Sequence, residues 1–162
     1  TNLTMGVNLS VRQFACPTLL SDIDHILSAT GINPARLKLE ITESAIMDNA
    51  ETAIALVEAL RSRQIQISID DFGTGYSSLG YLHRFMVNDL KIDRSFTSQI
   101  QVLSSKYKVV DTIITLGQQL NLTVTAEGIE TESQLARLLQ LNCELGQGYL
   151  FSKPLPAADI EA

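Results

Sequence analysis

Asn8, Glu40, Asp70, Lys91 and Glu127 share a pattern: each lies on the polar side of a short alternating run, mostly at or near its C-terminal end. Successive members are about 20 to 36 residues apart, the length of one βα unit per step, so residues scattered along the chain can converge on one small volume. Three carboxylates and an amide are all oxygen donors, and such a set suits a hard divalent cation such as Mg²⁺ or Mn²⁺. Asp71 adds a fourth carboxylate beside Asp70. Plain alternation would point Asp71 the other way, but Phe72-Gly73 marks a strand end where the backbone can turn and aim both inward. A carboxylate that bridges two ions, with further ligands on each side, is the layout of two-metal hydrolysis.

Each of these residues also has an ordinary use. Asp70 and Asp71 can simply end a strand and start a turn. Glu40 can be a solvated strand residue, although parallel strands rarely expose a face. Asn8 can form a turn, Lys91 can pair with Asp89 or Asp93, and Glu127 before Gly128 can cap a helix. Glu43 and Gln147 are weaker candidates. His25 and His83 fall off the shared parity and read as structural or surface residues.

The elements that must position these groups alternate. Strand-like runs cover Thr4–Ser10, Leu37–Thr42, Ile65–Asp70, Asp89–Asp93, Leu122–Glu127 and Leu145–Phe151. Helical periodicity appears in Ala50–Arg63, where Ala53, Leu56, Val57 and Leu60 share a face, and in Lys106–Leu120, with Val109, Val110, Ile113 and Leu116. Asp48 and Asn49 offer caps for the first helix, and Thr131 with Gln134 forms a capping-box pattern opening Glu132–Leu141. Alternating β and α units imply a parallel sheet with helices outside. Leu37, Leu39 and Ile41 alternate with Lys38, Glu40 and Thr42, and Ile65, Ile67 and Ile69 alternate with Gln66, Ser68 and Asp70. Strands of a doubly wound sheet read as nearly continuous apolar runs. A polar face on parallel strands fits a barrel whose interior lines a site at its C-terminal mouth.

Composition sets the outer bounds. The chain has 162 residues, 45% hydrophobic and 19% charged, enough for one globular domain with a core. A net charge of −6 argues against binding nucleic-acid polymers by bulk attraction, while a phosphate substrate is compatible with carboxylates masked by metal. Cys16 and Cys143 form no CxxC pair and read as free thiols of a reducing cytosol. No apolar run approaches the ~18 residues of a membrane span. The chain opens within a strand-like run, so the natural N-terminus is expected to lie upstream.

From Asp70 the sequence runs DDFGTGYSSLGYL, followed by LKIDRSF. NLSVRQF begins at Asn8, LEITES surrounds Glu40, AEGIET begins at Glu127, and GQGYLFSKPLP begins at Gly146. In this order the motifs resemble those of the EAL family of cyclic di-GMP phosphodiesterases over nearly the whole chain. The resemblance implies a TIM-like (β/α) barrel of EAL type that hydrolyses cyclic di-GMP to linear pGpG in bacterial second-messenger signalling, using two ions, Mg²⁺ or Mn²⁺. It implies that Asn8, Glu40 and Asp70 hold one ion, and that Asp70, Asp71 and Glu127 hold the other. By the same resemblance Lys91 contacts the catalytic water or phosphate and Gln147 helps to position water. Glu43 anchors the loop Asp71–Leu79, and Glu130 is a further acidic site residue.

The family's Glu-Ala-Leu tripeptide lies on an early strand, where its glutamate is a metal ligand; no strand-like run here carries it, and the Glu58-Ala59-Leu60 of this sequence falls within the helical run Ala50–Arg63. Residues 1–162 are therefore expected to be the C-terminal two-thirds of a single EAL domain, with about six of the eight strands, and to be inactive alone. Further expectations are a homodimer through Tyr76–Asn88, with Leu79, Leu82, Phe85 and Met86 seeking cover, a cytoplasmic domain without membrane contact, and a parent protein that is free to carry a membrane anchor upstream. The alternatives are a non-catalytic cyclic di-GMP receptor on the same fold, or an unrelated metal-dependent barrel such as an enolase-like lyase.

Overall fold

The computed structural model describes residues 3–47, 49–75, 82–100 and 107–160. Six strands lie in one sheet in chain order: β1 Met5–Leu9, β2 Leu37–Thr42, β3 Gln66–Phe72, β4 Asp89–Ile92, β5 Thr123–Ala126 and β6 Leu145–Gly146. The pairs β1–β2, β2–β3 and β5–β6 are parallel. Sequential parallel strands with helices between them are the TIM-like (β/α) class expected from the alternation, whereas a doubly wound sheet reverses its order at a switch point. The chain divides into two compact units, Thr1–Leu90 and Lys91–Ala162, with the division inside β4.

In the first unit, β1 leads into α1 (Val11–Phe14), whose N-cap Ser10 forms a capping box with Gln13. Then come α2 (Leu19–Thr30), a 3₁₀ turn at Pro34–Arg36, α3 (Glu43–Met47) after β2, and α4 (Ala50–Arg61). Gly31 closes α2 in the left-handed conformation at φ 67°, its N–H donating to the Leu27 carbonyl. Asn49 caps α4, accepting the Thr52 N–H at 3.3 Å, while Asp48 lies outside the described residues. Leu39, Ile41, Ile67 and Ile69 form the apolar face of β2 and β3, and α4, which contacts β3, buries Ala53, Val57 and Leu60. Asn88 fastens the entry of β4 to β3: its N–H donates to the Ile67 carbonyl, and its side-chain oxygen accepts the Ile67 N–H, both at 2.9 Å.

In the second unit, α5 (Arg94–Thr97) follows β4 and is capped by Asp93, which accepts the Ser95 N–H at 3.0 Å. Next come α6 (Tyr107–Gln119), α7 (Glu132–Gln140) and α8 (Ala157–Ile160). Helix α6 buries Val110, Ile113 and Ile114 and contacts β5 through Gly117, where a Cβ would run into the Val124 side chain. The Thr131–Gln134 capping box opens α7 as its sequence pattern predicts. Among the described residues no helix is long and apolar enough to cross a membrane.

The sixth strand departs from expectation. Rather than spanning Leu145–Phe151, it stops at Gly146. The Gln147 N–H still reaches the Ala126 carbonyl at 2.8 Å, but the backbone then wraps around Ile129, whose N–H donates to the Gln147 carbonyl and whose carbonyl accepts the Leu150 N–H. Gly148 lies so close to the Ile129 backbone that a Cβ would collide with it. This contact turns the chain out of the sheet.

Candidate active site

The strand register determines which groups meet in the first unit. Asn8 on β1 stands opposite Glu40 on β2, and Glu40 stands opposite Ser68 on β3. Asp70 lies two residues beyond Ser68 and thus on the same face, one step nearer the C-terminal end. Gly6 makes room for Glu40: a Cβ at that position would meet the Glu40 carboxylate. The sequence reading missed this role, although a glycine on the same parity as Asn8 was its available sign.

Asp70 and Asp71 sit where β3 changes direction. The strand runs on to Phe72, so the turn occurs within it, at Asp71 itself, with φ 54°. Aspartate is among the few residue types that visit this left-handed region with any ease. The Asp71 N–H donates to Asp70 Oδ1 at 3.0 Å, which fixes the first carboxylate against the turn. Glu43, at the start of α3, is buried and accepts the Gly73 N–H at 2.9 Å. Asn8, Glu40 and Asp70 offer only oxygen donors from one face, and the cradle at Gly6 is shaped for a carboxylate. Both features fit a hard cation rather than zinc or a soft metal.

In the second unit, Lys91 on β4 and Glu127 just past β5 form an ion pair at 2.6 Å, with side chains 7% and 19% exposed. A pair this short and this sheltered is a charge-assisted hydrogen bond rather than a loose surface contact. Lys91 thus meets Glu127, a residue from beyond the next strand. Glu127 does not cap the helix beyond it, because Thr131 does so. The Glu127 N–H donates to the Ile92 carbonyl at 3.1 Å. The exposed Glu130 donates its backbone N–H to Gln134 at 2.8 Å. Gln147, also exposed, is tied through its backbone to Ala126 and Ile129. The Gly148–Ile129 contact therefore joins the two loops that carry Glu127, Glu130 and Gln147.

Of the segment expected to mediate dimers, residues 76–81, including Leu79, lie outside the described residues. Leu82 and Phe85 are buried within their own unit, and Met86 is 55% exposed.

Comparison with known proteins gives this arrangement a context. A family model described as EAL domain matches residues 1–154. The chain is 45% identical over 159 residues to the cyclic di-GMP phosphodiesterase NbdA of Pseudomonas aeruginosa, covering 98% of this chain and 20% of NbdA. It is 42% identical to the solved PaMucR phosphodiesterase in complex with c-di-GMP, MucR being a protein of Pseudomonas aeruginosa, with a TM-score of 0.94 over 97% of this chain and 64% of that one. A Klebsiella pneumoniae BlrP1 structure with manganese and cyclic di-GMP matches at 30% identity and a TM-score of 0.85, covering 93% of this chain and 39% of that one. The chain thus spans about a fifth of the length of the curated relative NbdA.

Proposed function

This chain belongs to the EAL domain family, and from that premise we propose that it is the metal-binding part of a phosphodiesterase that hydrolyses cyclic di-GMP to linear pGpG. One observation carries the reading: the register of β1, β2 and β3 sets the oxygen donors Asn8, Glu40 and Asp70 on one face, at the C-terminal ends where (β/α) folds hold their sites. We propose further that residues 1–162 are the C-terminal two-thirds of one EAL domain, a reading supported by their spanning 64% of the PaMucR chain.

Two divalent ions, Mg²⁺ or Mn²⁺, would supply an activated water and Lewis-acid stabilisation of the leaving oxygen. Asn8 and Glu40 would hold one ion, Asp71 and Glu127 the other, and Asp70 would serve both. Lys91 would present its ammonium to the phosphate, steadied by Glu127 in the meantime. Gln147 would orient water, Glu43 would hold the turn that follows Asp71, and Glu130 would add negative charge at the rim. The ligand class is supported by solved relatives that contain cyclic di-GMP, one of them with manganese. The same reading puts the domain in the cytoplasm, as a homodimer associating through Tyr76–Asn88, a segment in which Met86 is 55% exposed.

Purified protein should linearise cyclic di-GMP only with Mg²⁺ or Mn²⁺ present and only when the upstream part of the domain is included. Asp70→Asn should nearly abolish turnover. Full turnover by that variant would overturn the reading. Binding of cyclic di-GMP without turnover would favour the receptor alternative instead.

A further inference from the structure

Immediately below the candidate ligands lies a polar layer to which the proposed reaction gives no task. Lys38, Ser68 and Asp89 each stand two residues before a candidate site residue on the same strand: Glu40 on β2, Asp70 on β3 and Lys91 on β4. Two residues along a strand return to the same face, about 7 Å away. Ser68 is fully buried and Asp89 is 1% exposed. The Ser68 hydroxyl donates to Asp89 Oδ1 at 2.6 Å, and the Lys38 ammonium approaches Oδ2 at 3.3 Å. One carboxylate thus engages groups from two other strands, each just beneath a proposed metal ligand.

An ion pair whose carboxylate is buried and whose ammonium is only half-buried is a poor way to gain stability, because desolvation of the carboxylate offsets much of the attraction. It does demand one geometry, since a slip of either strand would strand a charge away from water. The adjacent Asn88 locks the backbone of β4 to Ile67 from the strand edge, so Asp89 has little freedom to follow a moving partner. The pair is also balanced in charge and adds no net charge beneath the carboxylates above it.

We propose that Asp89 is a positioning residue: by tying Lys38 and Ser68, it fixes the ends of β2 and β3 so that Glu40 and Asp70 present their carboxylates in a single arrangement to a divalent cation. This inference rests on the metal-binding reading given above.

The test uses Asp89→Asn and the apolar triple variant Lys38→Met, Ser68→Ala, Asp89→Leu, made in the full chain, with two readouts. Without added metal, amide exchange should quicken at Thr42, Glu43 and Asp71 and stay unchanged in α4 and α6. With Mn²⁺ alone as the probe, each variant should bind about tenfold more weakly. The triple variant should nonetheless match or exceed the wild-type denaturation midpoint, an outcome that a merely structural role would not give. Unchanged exchange at those three amides overturns the proposal. So does faster exchange with Mn²⁺ binding that Asp70→Asn weakens but the Asp89 variants leave intact, and in that case the metal reading survives. If exchange quickens but the wild type shows no Mn²⁺ binding sensitive to Asp70→Asn, the metal reading fails and the strand tie stands. Should Asp89→Asn not fold, Ser68→Ala, which removes one arm only, carries both measurements.

Discussion

Glu43, only 2% exposed, accepts the backbone N–H of Gly73 through its carboxylate at 2.9 Å. The first residue of α3 thereby holds the turn at the end of β3. Gly75 leaves space for this carboxylate, since a Cβ there would lie 3.3 Å from Glu43 Cδ. Glu43→Gln keeps an acceptor and should lower the unfolding free energy by about 1 kcal/mol, whereas Glu43→Ala strands a donor and should lower it by about 2–3 kcal/mol. Urea denaturation checks the ranking, and equal losses would show that the carboxylate is not the anchor.

The Lys91–Glu127 pair should behave as a coupled unit. Lys91→Met and Glu127→Gln each break the 2.6 Å contact, one from the ammonium side and one from the carboxylate side, in a sheltered setting. In a double-mutant cycle the two changes should couple by about 1–3 kcal/mol. Additive losses would show that the short contact contributes nothing specific.

Gly148→Ala should harm the molecule through a single methyl group. The new Cβ would press on the Ile129 backbone and disturb the bond from the Leu150 N–H to the Ile129 carbonyl, 3.0 Å in length. Overpacking of this kind costs about 1–3 kcal/mol. The displaced loops carry Glu127, Glu130 and Gln147, so under the function proposed above affinity for cyclic di-GMP should fall as well. A variant with wild-type stability and affinity would mean that the loop yields without consequence.

Cys16 should be the more reactive thiol. It is exposed, and a hydrogen bond with the Thr18 hydroxyl at 3.3 Å holds its pKa below the usual thiol value. A lowered pKa means more thiolate at neutral pH. Iodoacetamide should therefore label Cys16 before the half-buried Cys143, with a rate midpoint on the acid side of an ordinary thiol. Thr18→Val should move that midpoint upward, and mass spectrometry of pH-series digests reads both effects.

What the sequence revealed depended on how local the cause was. Strand β2 runs over Leu37–Thr42 as its alternation predicts, because one buried face enforces the pattern. Helix α2 is less legible: Thr18 gives it no side-chain cap bond, and Leu19 is its buried residue. The early end of β6 was hidden, since it follows from the approach of Gly148 to Ile129, residues far apart in sequence. The partner of Lys91 was hidden for a similar reason: Asp89 and Asp93 lie two residues away on the chain, but Glu127 comes from beyond the next strand. The parity that groups Asn8, Glu40 and Asp70 was visible, whereas the turn at Asp71 depends on a dihedral angle that no residue pattern states.

That dihedral sets stability and ligand binding at odds. At φ 54°, a side chain at position 71 bears a penalty of about 1 kcal/mol that glycine escapes. A library selected only for thermal resistance should therefore drift towards glycine at this position, shedding the carboxylate. A library selected for turnover should retain aspartate and tolerate the loss. Position 71 would then report which pressure had governed a lineage: fold endurance alone, or the demands of the ligand it serves.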